Sequence, residues 1–414
     1  MREDGGGTRP ARAGWRGWSG AQKRAVVASY LGWTLDAFDF FLLVFVMKDV
    51  ASAFAVSLTS VAFAITLTLA LRPVGAFLFG RLADRYGRRR ILMLDVALYA
   101  LFGFLTAFAP SLLAFLIIRA LFGVAMGGEW GIGASLAMES IPAQSRGLVS
   151  GVLQSGYPSG YLLASVVFGI LYPYIGWRGM FAVGLAPALL IFYIRRGVEE
   201  SPAFEPQRAA GVSVGQVLAR NWKLALYAVL LMTAFNFLSH GTQDLYPTFL
   251  QKQRHLAHGT VSVIAVVYNI GAILGGLAVG AISQRVGRRR AMIGAALLAI
   301  PATWLWAFSP SVVLLALGAF IVQFFVQGAW GVIPAHLNEL SPGEARASFP
   351  GTVYQLGNFI ASSNAVLQTS IAARHGGNFA LALVAVAIVA ALVLAGLVLV
   401  GPEARHADLT ARPG

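Results

Sequence analysis

The sequence contains no cysteine and few charged side chains. The absence of cysteine excludes disulfides, thiolate nucleophiles and cysteine-based metal sites. Only 12% of the residues are charged and 57% are hydrophobic, whereas soluble domains carry about 25% charged residues. Acidic side chains are especially scarce, with 17 Asp and Glu against 31 Lys and Arg. A soluble chain of this length needs far more polar surface, so the composition indicates a membrane protein.

Motifs of phosphate-binding loops, zinc peptidases and serine hydrolases are also absent, and we expect neither an enzyme nor a bound cofactor or metal. In a soluble protein, a formal charge of +14 would indicate a nucleic-acid partner. Here, however, the cations cluster at the ends of apolar runs, where they determine membrane topology. We therefore expect the lipid bilayer, and no nucleic acid, as the partner of this basic charge.

Twelve apolar runs are long enough to cross a bilayer, which takes about 20 helical residues. They lie near residues 25–49, 57–80, 90–109, 111–138, 147–173, 177–196, 223–250, 260–283, 290–309, 311–337, 347–373 and 378–400. Most of the 31 Lys and Arg residues fall in the tails and in the connections on one side. By the positive-inside rule, this bias predicts a multi-pass protein of the cell (inner or plasma) membrane with both termini in the cytoplasm.

The longest internal connection divides the runs into two sets of six. The predicted organisation is a cytoplasmic tail (1–24), an N-terminal six-helix half (25–196), a cytoplasmic linker (197–222), a C-terminal six-helix half (223–400) and a second cytoplasmic tail (401–414). The first run is too long to be the apolar region of a cleaved signal peptide, so we expect it to stay in the protein as a span.

A shift of 200 residues superimposes the two halves. The loop GRLADRYGRRR at residues 80–90 falls on GAISQRVGRRR at residues 280–290, and Glu139 falls on Glu339. Two repeats that run in the same orientation predict a pseudo-two-fold axis along the membrane normal. They also predict a substrate site between the halves, near the middle of the bilayer.

The glycine-flanked basic loop resembles the hallmark of the major facilitator superfamily, and this resemblance covers the whole chain. It implies an all-α membrane protein with 12 transmembrane helices in two six-helix halves related by pseudo-two-fold symmetry. It also implies a cytoplasmic gate between the halves, formed here by Asp84, Arg85, Arg88, Glu139 and Arg146. The alternative is that the cations of the loop only determine topology.

Charged side chains inside the spans need an explanation, because each costs about 2.5–3.5 kcal/mol at the bilayer centre. The first span carries Asp36 and Asp39, and the fourth carries Arg119 and Glu129. At 1.5 Å per residue, Asp39 and Arg119 lie about 15 Å and about 12 Å below the same boundary, so we expect them to pair. Such a pair is either a proton switch or a permanent structural ion pair. For Glu129, a role in the inner gate or in helix packing is the alternative to proton coupling.

The seventh span carries a polar stripe. Asn236, His240, Gln243, Asp244 and Pro247 fall within an arc of about 100° around the helix. Polar groups aligned on an apolar membrane helix predict a cavity wall or a contact between helices. Secondary candidates on other spans, each equally compatible with a hydrogen bond between helices, are Gln154, Tyr157, Gln323 and Gln327.

This stripe resembles the N-x-x-S/T-H-x-S/T-Q-D-x-x-P-T signature of the Jen-type monocarboxylate:proton symporters of the sialate:proton symporter family, and every position matches. WTLDAFDFF on the first span and YQLGN on the eleventh also look like that family. The resemblance implies proton-coupled import of a small monocarboxylate such as lactate or pyruvate. It implies substrate binding by Arg119, Asn236, His240, Gln243, Tyr354, Gln355 and Asn358. It implies proton coupling by Asp36, Asp39, Glu129, His240 and Asp244.

Two other functions remain compatible with the sequence. One is sialic acid:proton symport, although sialate carriers of this family tend to be longer in the middle of the chain. The other is a carrier-like nutrient sensor that binds its ligand without transport, although such sensors usually carry long cytoplasmic extensions. For each function we expect a monomer whose partners are a small carboxylate, a proton and lipid.

Overall fold

The computed structural model describes residues 15–204, 214–405 and 407–409, and every regular element in these ranges is helical. Parts of the predicted tails (1–14 and 410–414) and of the predicted linker (205–213) lie outside the described residues. The α-helices are α1 (Gly20–Ala53), α2 (Leu58–Tyr86), α3 (Arg88–Thr106), α4 (Leu112–Ser140), α5 (Arg146–Gln154), α6 (Gly156–Val183), α7 (Ala188–Gly197), α8 (Val214–Arg220), α9 (Trp222–Gln243), α10 (Tyr246–Lys252), α11 (His258–Val286), α12 (Arg288–Phe308), α13 (Val312–Trp330), α14 (Ile333–Leu340), α15 (Ser348–Ala361), α16 (Asn364–Arg374) and α17 (Phe379–Val400).

These helices form the predicted twelve spans. The first four spans are α1 to α4, and the eighth, ninth and twelfth are α11, α12 and α17. The other five spans consist of two pieces each: α5 with the first part of α6, the end of α6 with α7, α9 with α10, α13 with α14, and α15 with α16. Within the described residues, nine helical stretches are long and apolar enough to cross a membrane. The third, sixth and eleventh of the twelve spans are not among these nine.

Irregular backbone occurs at defined positions within and between the spans. The fifth and sixth spans meet at Gly176, whose φ of 61° is a left-handed conformation that glycine adopts at little cost. The seventh and tenth spans are interrupted by short turns at Asp244–Leu245 and Gly331–Val332. Irregular backbone inside a membrane is tolerated where it is buried in protein or lines a cavity. These interruptions therefore favour a polar interior between the halves.

The pseudo-two-fold relation predicted from the 200-residue shift is visible in the helices. Both α2 and α11 have 29 residues, and each ends at a glycine with positive φ: 104° at Gly87 and 101° at Gly287. The next helices begin at Arg88 and Arg288. The prediction of an all-α fold with twelve helices in two related six-helix halves is confirmed.

The two halves meet most closely through glycines. Across the interface, α2 lies against α15 and α5 lies against α11. A Cβ atom added to Gly131 would lie 2.8 Å from the Cα atom of Gly351, and one added to Gly151 would lie 2.3 Å from the carbonyl oxygen of Gly276. A side chain at either position would force the helices apart. These contacts lie toward the end of the molecule that carries both GRRR loops, hereafter the basic end.

Candidate functional site

A cavity of about 420 Å³ lies between the halves. The first, second and fifth spans line it on one side, and the seventh, eighth, tenth and eleventh line it on the other. The predicted site residues that line it are Asn236, His240, Gln243, Asp244, Tyr354 and Asn358, together with the secondary candidates Gln154, Tyr157 and Gln327. The predicted site residues outside the lining are Asp36, Asp39, Arg119, Glu129 and Gln355.

On the C-terminal side, His240 and Asp244 form an i,i+4 pair that faces the cavity. The Nδ1 atom of His240 lies 3.2 Å from the carboxylate of Asp244, and its Nε2 atom lies 2.9 Å from Oδ1 of Asn358. Both neighbours are oxygen atoms, so a ring with N–H groups on both nitrogens satisfies both contacts. The side chains of His240 and Asp244 are 28% and 42% exposed, so this pair can meet a ligand.

Hydrogen bonds of glutamine side chains connect the seventh span to the tenth. Gln243 donates to Oε1 of Gln323 at 2.8 Å, and Gln323 donates to the hydroxyl of Thr242 at 3.0 Å. Gln327 donates to the hydroxyl of Ser239, also at 3.0 Å. The bonds fix the orientation of the polar stripe relative to the cavity. The expected roles of the glutamines as cavity residues and as links between helices are therefore compatible.

On the N-terminal side, the arginine that lines the cavity is Arg72 of the second span. Its Nη2 atom lies 3.2 Å from Oδ2 of Asp36, and the two side chains are 3% and 0% exposed. The Nε atom of Arg72 has no hydrogen-bond partner among the described residues. This leaves the guanidinium with a donor to spare beside the cavity.

Arg72 is not among the site residues predicted from the sequence, although a cation inside an apolar run indicates a functional residue. Arg72 and Arg119 are both cations inside apolar runs, and the cost of burying a charge applies equally to both. The prediction favours Arg119 because its depth in the membrane matches that of Asp39. Depth along a helix axis does not fix the direction in which a side chain points, and the cavity lies on the side of Arg72.

The structure corrects the prediction that Asp39 and Arg119 form an ion pair. The two groups lie within electrostatic range, but no salt bridge joins them within the described part of the chain, and neither carboxylate oxygen of Asp39 has a hydrogen-bond partner there. Asp39 lies beside Gly103 and Gly184, away from the cavity lining. The guanidinium of Arg119 lies 3.9 Å from the ring centroid of Phe122 and is held by that ring.

Two more buried acids, Asp95 and Glu129, lie near Asp36. Both are 0% exposed, and their carboxylate oxygens have no hydrogen-bond partner among residues 15–204, 214–405 and 407–409. Room for Glu129 is left by Gly32, where an added Cβ would lie 2.2 Å from its Oε1 atom. Asp95 is not among the residues predicted from the sequence, although a lone acid inside the third span carries the same signal as the other buried acids. An unpaired charge is costly in such surroundings, which makes both acids candidates for a functional role.

At the basic end, Asp84 joins the halves by accepting hydrogen bonds from the backbone N–H groups of Ala347 and Ser348, at 2.9 and 3.0 Å. Arg88 binds both oxygens of Glu139 at 3.1 Å. These bonds lie at the start of α15 and at the end of α4, where the halves are in contact.

The second copy of the loop repeats the arginine–glutamate pair and differs at the acid. Arg288 binds Glu339 at 3.0 and 2.9 Å, and Arg146 lies 3.9 Å from the same carboxylate. Gln284, which replaces the acid, accepts a hydrogen bond from the backbone N–H of Gly147 at 3.0 Å. By contrast, Arg85 is exposed and lies over the ring of Tyr86, outside the contacts described for the other gate candidates.

Two related six-helix halves around a polar cavity, closed at one end by charged contacts, are the architecture of a secondary transporter. The profile of the Major Facilitator Superfamily matches residues 29–257 and 229–414. The chain belongs to this superfamily, and it is a multi-pass membrane transporter, not an enzyme.

Curated relatives support the same family. The chain is 33% identical over 382 residues to a probable 4-methylmuconolactone transporter of Cupriavidus pinatubonensis, with 88% of each sequence covered. It is 31% identical over 375 residues to a carboxylic acid transporter protein homolog of Saccharomyces cerevisiae, covering 84% of this chain and 61% of the relative. Among solved structures, the proton:xylose symporter XylE superimposes with a TM-score of 0.75 at 17% identity, covering 92% of this chain and 96% of XylE. This last likeness concerns the fold alone.

Proposed function

We propose that the protein is a proton-coupled symporter that imports a small monocarboxylate, such as lactate or pyruvate, across the cell membrane by alternating access. The observation that carries the proposal is that Arg72 of one half and the His240–Asp244 pair of the other half line the same cavity. A cation and a titratable pair on opposite walls suit a substrate anion that travels with a proton.

A carboxylate suits this site because a guanidinium offers two parallel donors to its two oxygens. Arg72 uses Nη2 for Asp36 and has a free Nε atom. The indole N–H groups of Trp33 and Trp330, which line the cavity from opposite halves, also lack partners in the described part of the chain. Unpaired donors around a cavity favour an anionic ligand. The relatives named as transporters of a carboxylic acid and of a muconolactone agree with this class of substrate.

We place the proton switch at the Asp36–Arg72 contact. While Asp36 is ionised, it competes with the substrate carboxylate for the guanidinium. When Asp36 takes a proton, Arg72 is released to bind the substrate, so proton and substrate are taken up together. Asp39, Asp95, Glu129 and the His240–Asp244 pair are further proton carriers in this scheme.

We propose that the basic end faces the cytoplasm, as the distribution of Lys and Arg predicts. The contacts of Asp84, Arg88, Glu139 and Arg146 then form the cytoplasmic gate, which has to break when the cavity opens inward. Residues 25–196 and 223–400 are the two halves that move relative to each other, and residues 197–222 form the linker between them.

Reconstitution into liposomes tests the proposal. With an imposed pH step, acid outside, we expect labelled lactate or pyruvate to accumulate in the absence of sodium. Empty liposomes and collapse of the pH step by a protonophore are the controls. Accumulation that follows sodium and ignores pH would contradict proton coupling. Uptake of sialic acid without uptake of lactate or pyruvate would replace the substrate, and binding without uptake would identify a sensor.

A further inference from the structure

The cavity wall contains a continuous series of aromatic rings. Tyr161 contacts Phe41 at 4.9 Å between ring centroids, Phe41 contacts Tyr157 at 5.3 Å, and Tyr157 contacts Trp33 at 5.5 Å. Trp33 then contacts Tyr354 of the other half at 6.5 Å. All five side chains line the cavity, and the series crosses from one half to the other.

Three of these rings are open toward the cavity. Phe41, Tyr157 and Tyr161 are only partly buried, whereas Trp33 and Tyr354 are 2% and 7% exposed. Membrane helices that only pack against each other favour small residues at their contacts. Aromatic rings left partly uncovered beside a ligand cavity are instead suited to hold a ligand.

The series of rings from Tyr161 to Tyr354, hereafter the aromatic wall, lies beside the proposed carboxylate site. Arg72 lines the same cavity as Tyr157 and Tyr354, and its guanidinium lies 5.8 Å from the ring centroid of Phe40. A ligand whose carboxylate binds Arg72 therefore places its remaining atoms against these rings. For lactate, those atoms are one CH group, one hydroxyl and one methyl group, which cover little of the aromatic surface.

The size of the cavity also favours a ligand larger than lactate. Its volume of about 420 Å³ holds many water molecules, since one water needs only roughly 10–15 Å³ of such space. A three-carbon acid displaces fewer than half of them. A carboxylate attached to a six-membered ring fills more of the space and exchanges the remaining water for contact with the rings.

We propose that the preferred substrate is a monocarboxylate that carries a planar, unsaturated ring, held with its carboxylate on Arg72 and its ring against Phe41 and Tyr157. This inference rests on the proposed function and narrows its substrate class. Planar rings gain from offset-stacked and edge-to-face contacts that a saturated ring of similar size does not make. The aromatic wall is thus the specificity-determining part of the site.

Isothermal titration of the purified full-length protein with three acids tests this assignment. The acids are benzoate, cyclohexanecarboxylate, which has a saturated ring of similar size, and lactate. We expect benzoate to bind at least tenfold more tightly than lactate and at least threefold more tightly than cyclohexanecarboxylate. Equal affinities for benzoate and lactate would overturn the assignment.

Variants of the aromatic residues test where the ring of the ligand binds. Tyr157→Leu and Phe41→Leu should each weaken benzoate binding by at least fivefold while changing lactate affinity by less than twofold. Trp304→Leu is the matched control, because Trp304 is 72% exposed on the outside of the bundle and outside the cavity lining. An unchanged benzoate affinity in both cavity variants would contradict the aromatic wall. If the parent protein binds lactate and no ring acid, only this inference fails; if it neither binds nor transports any monocarboxylate, the proposed function fails as well.

Discussion

Replacement of Arg72 by lysine tests the centre of the proposed site. Lysine keeps the positive charge but replaces the planar fork with a single ammonium group. The contact with Asp36, 3.2 Å from Nη2 in the parent, remains an ion pair, so the buried acid is not left without a cation. The change therefore removes donor geometry rather than charge.

The expected loss follows from the donors available. One hydrogen bond to a charged group contributes about 1.5–3 kcal/mol, and every 1.4 kcal/mol or so is a factor of ten in the dissociation constant. We therefore expect Arg72→Lys to weaken the binding of benzoate and lactate at least tenfold. Isothermal titration of both acids measures the effect, and thermal unfolding of the same preparation shows whether the variant is folded.

Arg119→Lys is the matched control, because Arg119 is equally buried but lies outside the cavity lining. Its guanidinium lies over Phe122, and a cation–π contact contributes about 0.5–2 kcal/mol. We expect this variant to lower the unfolding temperature and to leave affinity within twofold of the parent. The reverse result, with Arg119→Lys weakening binding tenfold and Arg72→Lys binding normally, would refute the assignment of the carboxylate site to Arg72.

Two further predictions concern coupling and the gate. Asp36→Asn mimics the protonated acid and leaves Arg72 permanently released, so we expect counterflow exchange to continue while pH-driven accumulation is lost; Asp39→Asn should be milder, and accumulation at the parent level by Asp36→Asn would contradict the switch. Asp84→Asn removes charge from the acceptor of two backbone N–H groups and should weaken closure of the basic end. A single cysteine introduced at Thr352, whose hydroxyl is buried, should then react several-fold faster with an impermeant maleimide from the basic side. An unchanged rate would show that Asp84 does not hold the gate closed.

The fold could be predicted from the sequence because the bilayer imposes strong local rules. Span length, the positions of cations and the 200-residue repeat are properties of the chain alone, and each has a direct physical meaning in a membrane. The glycines at positions 87 and 287 mark the same turn in both halves, and their positive φ values agree with that reading. The cavity-facing stripe from Asn236 to Asp244 was also visible, because one helix carries all of it.

The breaks within spans were harder to foresee. The turn at Asp244–Leu245 interrupts a run that reads as continuous by hydropathy. Its stability depends on neighbouring helices that satisfy the freed backbone groups, so the interruption is a property of the assembled bundle and not of the segment.

Only the tertiary structure decided which charged groups meet. The sequence alone determined that Asp36, Asp39, Arg72 and Arg119 are buried in spans, because their neighbours along the chain are apolar. It did not determine that Asp36 contacts Arg72 while Arg119 lies over an aromatic ring. Partner choice depends on the rotation and tilt of each helix, which are set by packing against other helices, and these distant contacts leave no periodic trace in any one segment.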